Sequence, residues 1–195
     1  MDITRWCAKQ DSRRYLTVPF NYGARTFACN GHIMISIPSE HGYPEIQENL
    51  KSVMTGFLDT TGKTFVPWPS DLNLPEPTKC STCKGTKKVK VTKCKECEGS
   101  CEVELENEFN SYSCQCKSCN GEGDIKSIGE GPSCYECLGF GDSFEPYAQT
   151  LLAGVRIYSK YARLLKSIGS VEISGGGDKL YFRSGEAQGV ILGLA

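Results

Sequence analysis

Four Cys-x-x-Cys pairs constrain this chain more than any other feature. They are Cys80/Cys83, Cys94/Cys97, Cys116/Cys119 and Cys134/Cys137, and a glycine stands two residues after each: Gly85, Gly99, Gly121 and Gly139. Two residues between cysteines let the chain turn so that both sulfurs face one ion. The turn needs a residue at positive φ, which glycine adopts without a Cβ penalty. Four thiolates hold Zn²⁺ tetrahedrally at about 2.3 Å, and a site closed by four protein ligands has no position for substrate. Eight such ligands therefore predict two structural zinc ions per chain. Spacing alone leaves two groupings open: sequential (first pair with second, third with fourth) or nested (first with fourth, second with third).

The start of the chain, MDITRWCAKQ, has no apolar stretch of signal-peptide length, and no apolar run reaches membrane-spanning length. Twelve cysteines without an export signal predict metal-bound thiolates in a reducing cytoplasm, not disulfides. The formal net charge of −1 gives no bulk attraction to nucleic acid. Residues 78–142 carry nine lysines, no arginine and eleven acidic residues, a net of −2. Two zinc ions on eight thiolates would take that to −6, so the cysteine segment is a poor phosphate binder.

Hydrophobic periodicity predicts the flanks. A short amphipathic helix is expected over 3–10, capped by Asp2, with Ile3, Trp6 and Cys7 inward and Arg5 and Lys9 outward. Strands are expected over 15–20, 25–30 and 32–38, and a second helix over 45–57, begun by Pro44. Pro67, Pro69, Pro75 and Pro77 mark 66–78 as a linker. Within the cysteine segment, lysine-rich 86–93 and glutamate-rich 101–108 alternate like strands; they read as one solvated hairpin with cross-strand Lys–Glu pairs, in preference to a charged docking surface. Beyond it come a strand over 150–158, a helix over 160–168 capped by Ser159 and ended by Gly169, and strands over 170–174, 179–184 and 188–193. Both flanks thus read as helix followed by three strands. The expected fold class is α+β: two αβββ halves, 1–77 and 143–195, form one discontinuous domain split by a zinc module over 78–142.

Cys116-Lys-Ser-Cys119-Asn-Gly-Glu-Gly123 and Cys134-Tyr-Glu-Cys137-Leu-Gly-Phe-Gly141 match the CxxCxGxG motif of the DnaJ-type cysteine-rich zinc domain. The first two motifs lack the final glycine, where Lys87 and Cys101 stand. This resemblance covers about a third of the chain and implies nested pairing, with Cys80, Cys83, Cys134 and Cys137 on one zinc and Cys94, Cys97, Cys116 and Cys119 on the other. It also implies polypeptide binding by the module. The chain has no His-Pro-Asp tripeptide, so it lacks the signature by which a J domain acts on its partner chaperone.

A second resemblance lies in the flanks. Phe27-Ala-Cys-Asn-Gly-His32 is similar to a turn of DNA sliding-clamp domains. Ser159-Lys-Tyr-Ala-Arg-Leu-Leu-Lys-Ser-Ile168, with Leu180-Tyr-Phe-Arg and Gly189-Val-Ile-Leu, is similar to their last helix and closing strands. It implies that Arg5, Lys9, Lys160, Arg163 and Lys166 face a DNA backbone, through salt-sensitive contacts that carry no sequence information. Against this, short amphipathic helices carry Lys and Arg on their wet face by default. A clamp-like ring would also require a homo-oligomer, since this chain has room for one such domain.

No catalytic constellation stands out. His32 and His41 have no evident nucleophile beside them, and there is no Walker-type loop or HExxH motif. Cys7 and Cys29 fall on apolar faces as buried thiols. Cys101 and Cys114 are spare cysteines near the second site, either able to replace a neighbouring ligand. The expectation is a non-enzymatic zinc protein: an accessory factor of DNA metabolism whose zinc module binds a protein partner. The alternative is a chaperone-like or regulatory protein that binds polypeptide through that module.

Overall fold

The structure is a computed structural model that describes residues 1–9, 11–46, 56 and 59–194. The chain separates into two compact units, one formed by Met1–Thr78 with Asp142–Ala195 and one by Lys79–Gly141. The helix expected over 45–57 lies outside the described residues, apart from residues 45, 46 and 56.

In chain order the first unit has a 3-10 turn (Ile3–Trp6), helix α1 (Arg14–Thr17), and strands β1 (Phe20–Tyr22), β2 (Arg25–Cys29), β3 (Ile33–Pro38) and β4 (Val66–Pro67). Strand β5 (Thr78–Lys79) leads into the cysteine unit, which contains β6 (Lys88–Lys93), β7 (Glu102–Glu106), β8 (Ser111–Gln115) and β9 (Asp124–Ser133). After it come β10 (Asp142–Ser143), β11 (Gln149–Leu152), β12 (Val155–Tyr158), helix α2 (Ser159–Lys166), β13 (Glu172–Gly176), β14 (Lys179–Ser184) and β15 (Ala187–Leu192).

This is a mostly β chain, which corrects the α+β expectation. Its principal feature is an antiparallel seven-stranded sheet in the order β1-β2-β3-β15-β14-β13-β4. The two expected halves do not stand as matching αβββ units. The first helix shrinks to one 3-10 turn, in which Asp2 Oδ1 accepts from Thr4 N–H at 3.1 Å. Ile-Thr-Arg-Trp is too short and too rich in β-branched and aromatic residues to propagate a helix. Its Ile3 and Trp6 are nevertheless buried. Residues expected as a strand over 15–20 form α1 instead, and only Phe20 enters β1. An aspartate turn starts this helix: Asp11 Oδ1 accepts from Arg13 N–H at 2.8 Å, and such local bonds compete with extended structure. The strand expected over 150–158 is a hairpin, because Ala153 and Gly154 take φ of +46° and +79° and reverse the chain. Ser159 is the first residue of α2, not its cap, and its hydroxyl pairs with that of Thr150 at 2.7 Å.

Both faces of the sheet are covered, as the near-continuous burial of β2 and β3 requires. On one face, Cys29, Met34, Val190 and Tyr181 stand side by side across four strands, packed with Leu16, Phe20 and Phe27. On the other, the row is Ala28, Ile35, Gly189, Phe182 and Ile173, and Trp6 stacks on Phe182 at 5.6 Å. Gly189 is required there. A Cβ would lie 2.4 Å from Phe182 Cζ and 2.1 Å from the Met34 carbonyl oxygen. Pro67 sits on the edge strand β4, where its missing N–H costs no ladder bond.

In the cysteine unit, β6 pairs with β9 and β7 with β8. The expected hairpin between the lysine-rich and glutamate-rich runs does not form. No helix among the described residues is long and apolar enough to cross a membrane.

Candidate metal centres

Each cysteine pair belongs to an eight-residue knuckle, and the four knuckles repeat one geometry. The residue after the second cysteine has positive φ (Lys84 +51°, Glu98 +49°, Asn120 +51°, Leu138 +53°), and the glycine that follows does too. The second cysteine's carbonyl then accepts from the N–H three residues on, at 2.8 to 3.0 Å, in all four. The eighth position also lies at positive φ: +70° at Lys87, +73° at Cys101, +74° at Gly123 and +93° at Gly141. Lys87 and Cys101 therefore hold a left-handed conformation where glycine would sit without strain.

The eighth residue joins knuckles in pairs. Cys80 N–H donates to the Gly141 carbonyl at 3.0 Å, and Cys134 N–H to the Lys87 carbonyl at 2.8 Å. Cys94 N–H donates to the Gly123 carbonyl at 2.8 Å, and Cys116 N–H to the Cys101 carbonyl at 2.9 Å. Each pair thus exchanges two backbone bonds about a local twofold. A Cβ on Gly141 would stand 2.9 Å from the Gly85 carbonyl oxygen, and one on Gly123 would stand 3.0 Å from that of Gly99. Glycine at these two positions lets the partner backbones close.

The result is two buried groups of four sulfurs: Cys80, Cys83, Cys134 and Cys137, and Cys94, Cys97, Cys116 and Cys119. This is the nested grouping. Sγ separations are 3.9 Å (Cys80–Cys134), 3.7 Å (Cys83–Cys137), 3.8 Å (Cys94–Cys116) and 3.7 Å (Cys97–Cys119). A disulfide needs about 2.05 Å. A tetrahedron with metal–sulfur bonds of about 2.3 Å has edges of about 3.8 Å. The residues present therefore fit a tetrathiolate metal ion at each group. Among the described residues these are the two clusters able to hold a metal.

The electrostatics point the same way. Burial pushes the Cys137 and Cys116 thiols up to about 12. Burial also opposes ionisation of Cys83 and Cys97, but N–H bonds from Lys87 and Gly85, and from Gly99 and Cys101, with help from neighbouring thiols, bring both down to about 7. Each group thus gives up one proton readily and holds another tightly, because burial disfavours charge on Cys137 and Cys116. A divalent cation offsets that cost and ionises the set. The second cysteine of the later knuckles is held by a further bond, Gly141 N–H to Cys137 Sγ at 3.2 Å and Gly123 N–H to Cys119 Sγ at 3.3 Å.

The spare cysteines stand outside both groups. Cys101 is half-buried and Cys114 is exposed. Cys7 and Cys29 lie on the sheet unit. Burial and then the neighbouring Cys29 push Cys7 up to about 12, and burial pushes Cys29 up to about 11.

Of the basic residues, Lys9, Lys160 and Lys166 are exposed, while Arg5 and Arg163 are half-buried. Arg163 Nη2 pairs with Asp142 Oδ1 at 2.7 Å, and its guanidinium lies over the Phe144 ring. Lys160 Nζ sits 5.3 Å from the Tyr161 ring centroid. His32 lies edge-on to Tyr158, with its backbone N–H bonded to Asn30 Oδ1.

One surface went unread in the sequence. β7 and β8 form a hairpin in which Val103 stands opposite Cys114 and Leu105 opposite Tyr112, while Glu102, Glu104 and Glu106 point to the other face. Leu105, Tyr112 and the tip residue Phe109 are 59%, 53% and 85% exposed. The legible signal was the alternation in Glu-Val-Glu-Leu-Glu. The turn signal was Asn107, whose side chain accepts from the backbone N–H groups of Phe109 and Asn110 at 2.9 and 2.8 Å.

Comparison of the chain with models of protein families, with curated proteins and with solved structures finds no match.

Proposed function

We propose that this protein is a non-enzymatic zinc protein whose two structural zinc ions hold a protein-binding surface. The observation that carries this reading is the exposed apolar face of the β7–β8 hairpin. Leu105, Phe109 and Tyr112 stand in solvent on a rigid support anchored at both ends in the second cysteine group. Exposed aromatic and aliphatic side chains gathered on one small element mark interaction sites. The resemblance to DnaJ-type zinc domains supports the same reading, and the reduced thiols suit a cytoplasmic setting.

The test is suppression of aggregation of a heat-denatured client by the zinc-loaded protein. The triple variant L105S/F109S/Y112S should keep two zinc ions by native mass spectrometry and lose suppression. A variant that protects the client as well as the unaltered chain would sink the reading.

A second reading is an accessory role in DNA metabolism, resting on exposed Lys9, Lys160 and Lys166 as the phosphate contacts. Retention on duplex DNA in low salt, lost in K9E/K160E/K166E, is its expected signature.

A further inference from the structure

The β7–β8 hairpin has two edges, and its sequence treats them differently. Cys116 N–H donates to the Cys101 carbonyl and Asn107 N–H to the Asn110 carbonyl. These bonds fix the ladder: the pairs Val103/Cys114 and Leu105/Tyr112 turn their backbone groups inward, toward each other. The backbone groups of Glu102, Glu104 and Glu106 therefore face out along β7, and those of Ser111, Ser113 and Gln115 face out along β8. Among the described residues neither edge has a third strand. All five residues of β8 are exposed. A two-stranded hairpin in water is marginal by itself, and further strands with a shared apolar face make it stable.

An unpaired edge draws a strand unless charge, proline or a bulge blocks it. On β7 three glutamates block it. Two copies of β7 laid antiparallel would set Glu104 against Glu104 and Glu102 against Glu106, and like charges directly opposite repel. β8 reads Ser-Tyr-Ser-Cys-Gln, with no charge, no proline and an unbroken register. Two copies of β8 laid antiparallel about Ser113 match themselves. Ser113 meets Ser113 and Ser111 meets Gln115 on one face, while Tyr112 meets Cys114 on the other, an aromatic–sulfur contact. The outward N–H and C=O groups of both copies fall in bonded pairs in that register. The glutamates of the two copies then stand three strand spacings apart, about 14 Å. That exceeds the screening length of about 8 Å at physiological salt.

We infer that the open edge of β8 is a dimerisation site whose occupant is β8 of a second copy of this chain. The joint is isologous: each copy offers the same edge to the other, so assembly closes at two copies. It makes one four-stranded sheet, with β7 of each copy outermost. Main-chain bonds supply affinity. The apolar faces of the two hairpins, Leu105 and Tyr112 of each, become one surface. The inference builds on the proposed reading of the hairpin as a binding surface and doubles that surface. The joint is a single strand pair, smaller than a standard interface, so the dimer exchanges with monomer.

The experiment is sedimentation velocity of the zinc-loaded full chain across protein concentrations. A monomer–dimer equilibrium is expected, with no larger species. Ser113→Pro removes the central outward N–H and leaves the bonds to β7 intact. Ser113→Lys sets two lysines against each other at the twofold, and Ser113→Glu two glutamates. Each variant should sediment as a monomer at concentrations where the unaltered chain is mostly dimer, while keeping two zinc ions by native mass spectrometry. An equimolar mixture of the lysine and glutamate variants should regain the dimer. Under mild oxidation Tyr112→Cys should give a dimer linked by a disulfide from the new thiol to Cys114 of the second copy, which reports the register. A chain that stays monomeric, an assembly that grows past the dimer, or lysine and glutamate variants that associate like the unaltered chain would overturn the inference. So would a monomer in which Ser113→Pro abolishes client protection, which gives the edge to a client strand instead. A monomeric chain that protects its client sinks the dimer and leaves the hairpin reading standing. A dimer that protects no client supports the joint and sinks the hairpin reading.

Discussion

Chelation should unfold the cysteine unit and leave the sheet unit folded. Apart from its cysteines, the buried apolar side chains of Lys79–Gly141 are Val89 and Leu138. Burying a side chain of this size contributes about 1.5–3 kcal/mol, so the two give about 3–6 kcal/mol. A structural zinc on thiolates contributes about 10–16 kcal/mol, so two ions are the largest single stabilising contribution in the unit. The sheet unit stands on its own core, in which Trp6, Ile33, Ile35, Leu164, Leu165, Ile173, Phe182 and Ile191 are almost fully buried. The assay is hydrogen exchange read by mass spectrometry, before and after a strong chelator under reducing conditions. Amides of β6 to β9 should lose protection, while those of β2, β3, β14 and β15 keep theirs. Protection retained in β6 and β9 after both metals are gone would refute the reasoning.

Further expectations concern single sites. Gly189→Ala should cost about 3 kcal/mol or more, because the added Cβ meets the Phe182 ring and the Met34 carbonyl; urea unfolding followed by tryptophan fluorescence measures it. Gly141→Ala should weaken metal binding at the first group far more than Gly154→Ala, since both glycines have positive φ but only the first faces a backbone oxygen; competition with a chromophoric chelator reads the difference. The raised thiols of Cys7 and Cys29 set a pH dependence. In the unfolded chain they ionise near pH 9 and in the fold at about 12 and about 11, so the unfolded state binds fewer protons above pH 9. The contribution of these two thiols to sheet-unit stability should thus be flat below pH 9 and fall from there toward pH 12, and C7A/C29A should flatten that fall in urea titrations. Alkylation of the zinc-loaded protein should modify exposed Cys114 first, with the eight cysteines of the two groups last; rapid labelling of Cys83 or Cys97 would contradict the tetrathiolate assignment.

Much of the site was legible because its chemistry is local. Cys-x-x-Cys followed by a glycine names the ligand and its turn within six residues, so all eight cysteines of the two groups could be read from spacing. The strands β2, β3, β14 and β15 were legible for the same reason: alternation of apolar residues is a property of each segment by itself. Several expectations failed where two local preferences compete. Tyr15-Leu16-Thr17 has strand-like residues, yet the turn at Asp11 starts a helix there. The apolar run 150–158 hides a reversal, because Ala153 carries positive φ where Asn or Asp is usual, leaving Gly154 as the one turn signal.

Partnership between distant segments belonged to the tertiary structure. Lys88–Lys93 and Glu102–Glu106 are as complementary as any two strands in the chain, and charge alone would have paired them. They are kept apart by the backbone bonds from Cys94 to Gly123 and from Cys116 to Cys101, which tie the second knuckle to the third. In the same way, helix-then-strands in each flank suggested two equal halves. The ladder between β3 and β15 instead merges their strands into one sheet, too wide for the 3-10 turn and the two short helices among the described residues to define its class. The amino-acid order sets which face of each strand is apolar and which residues can bind metal. Which strand meets which depends on contacts across the whole chain, where loop closure and the knuckle pairing outweigh pairwise complementarity.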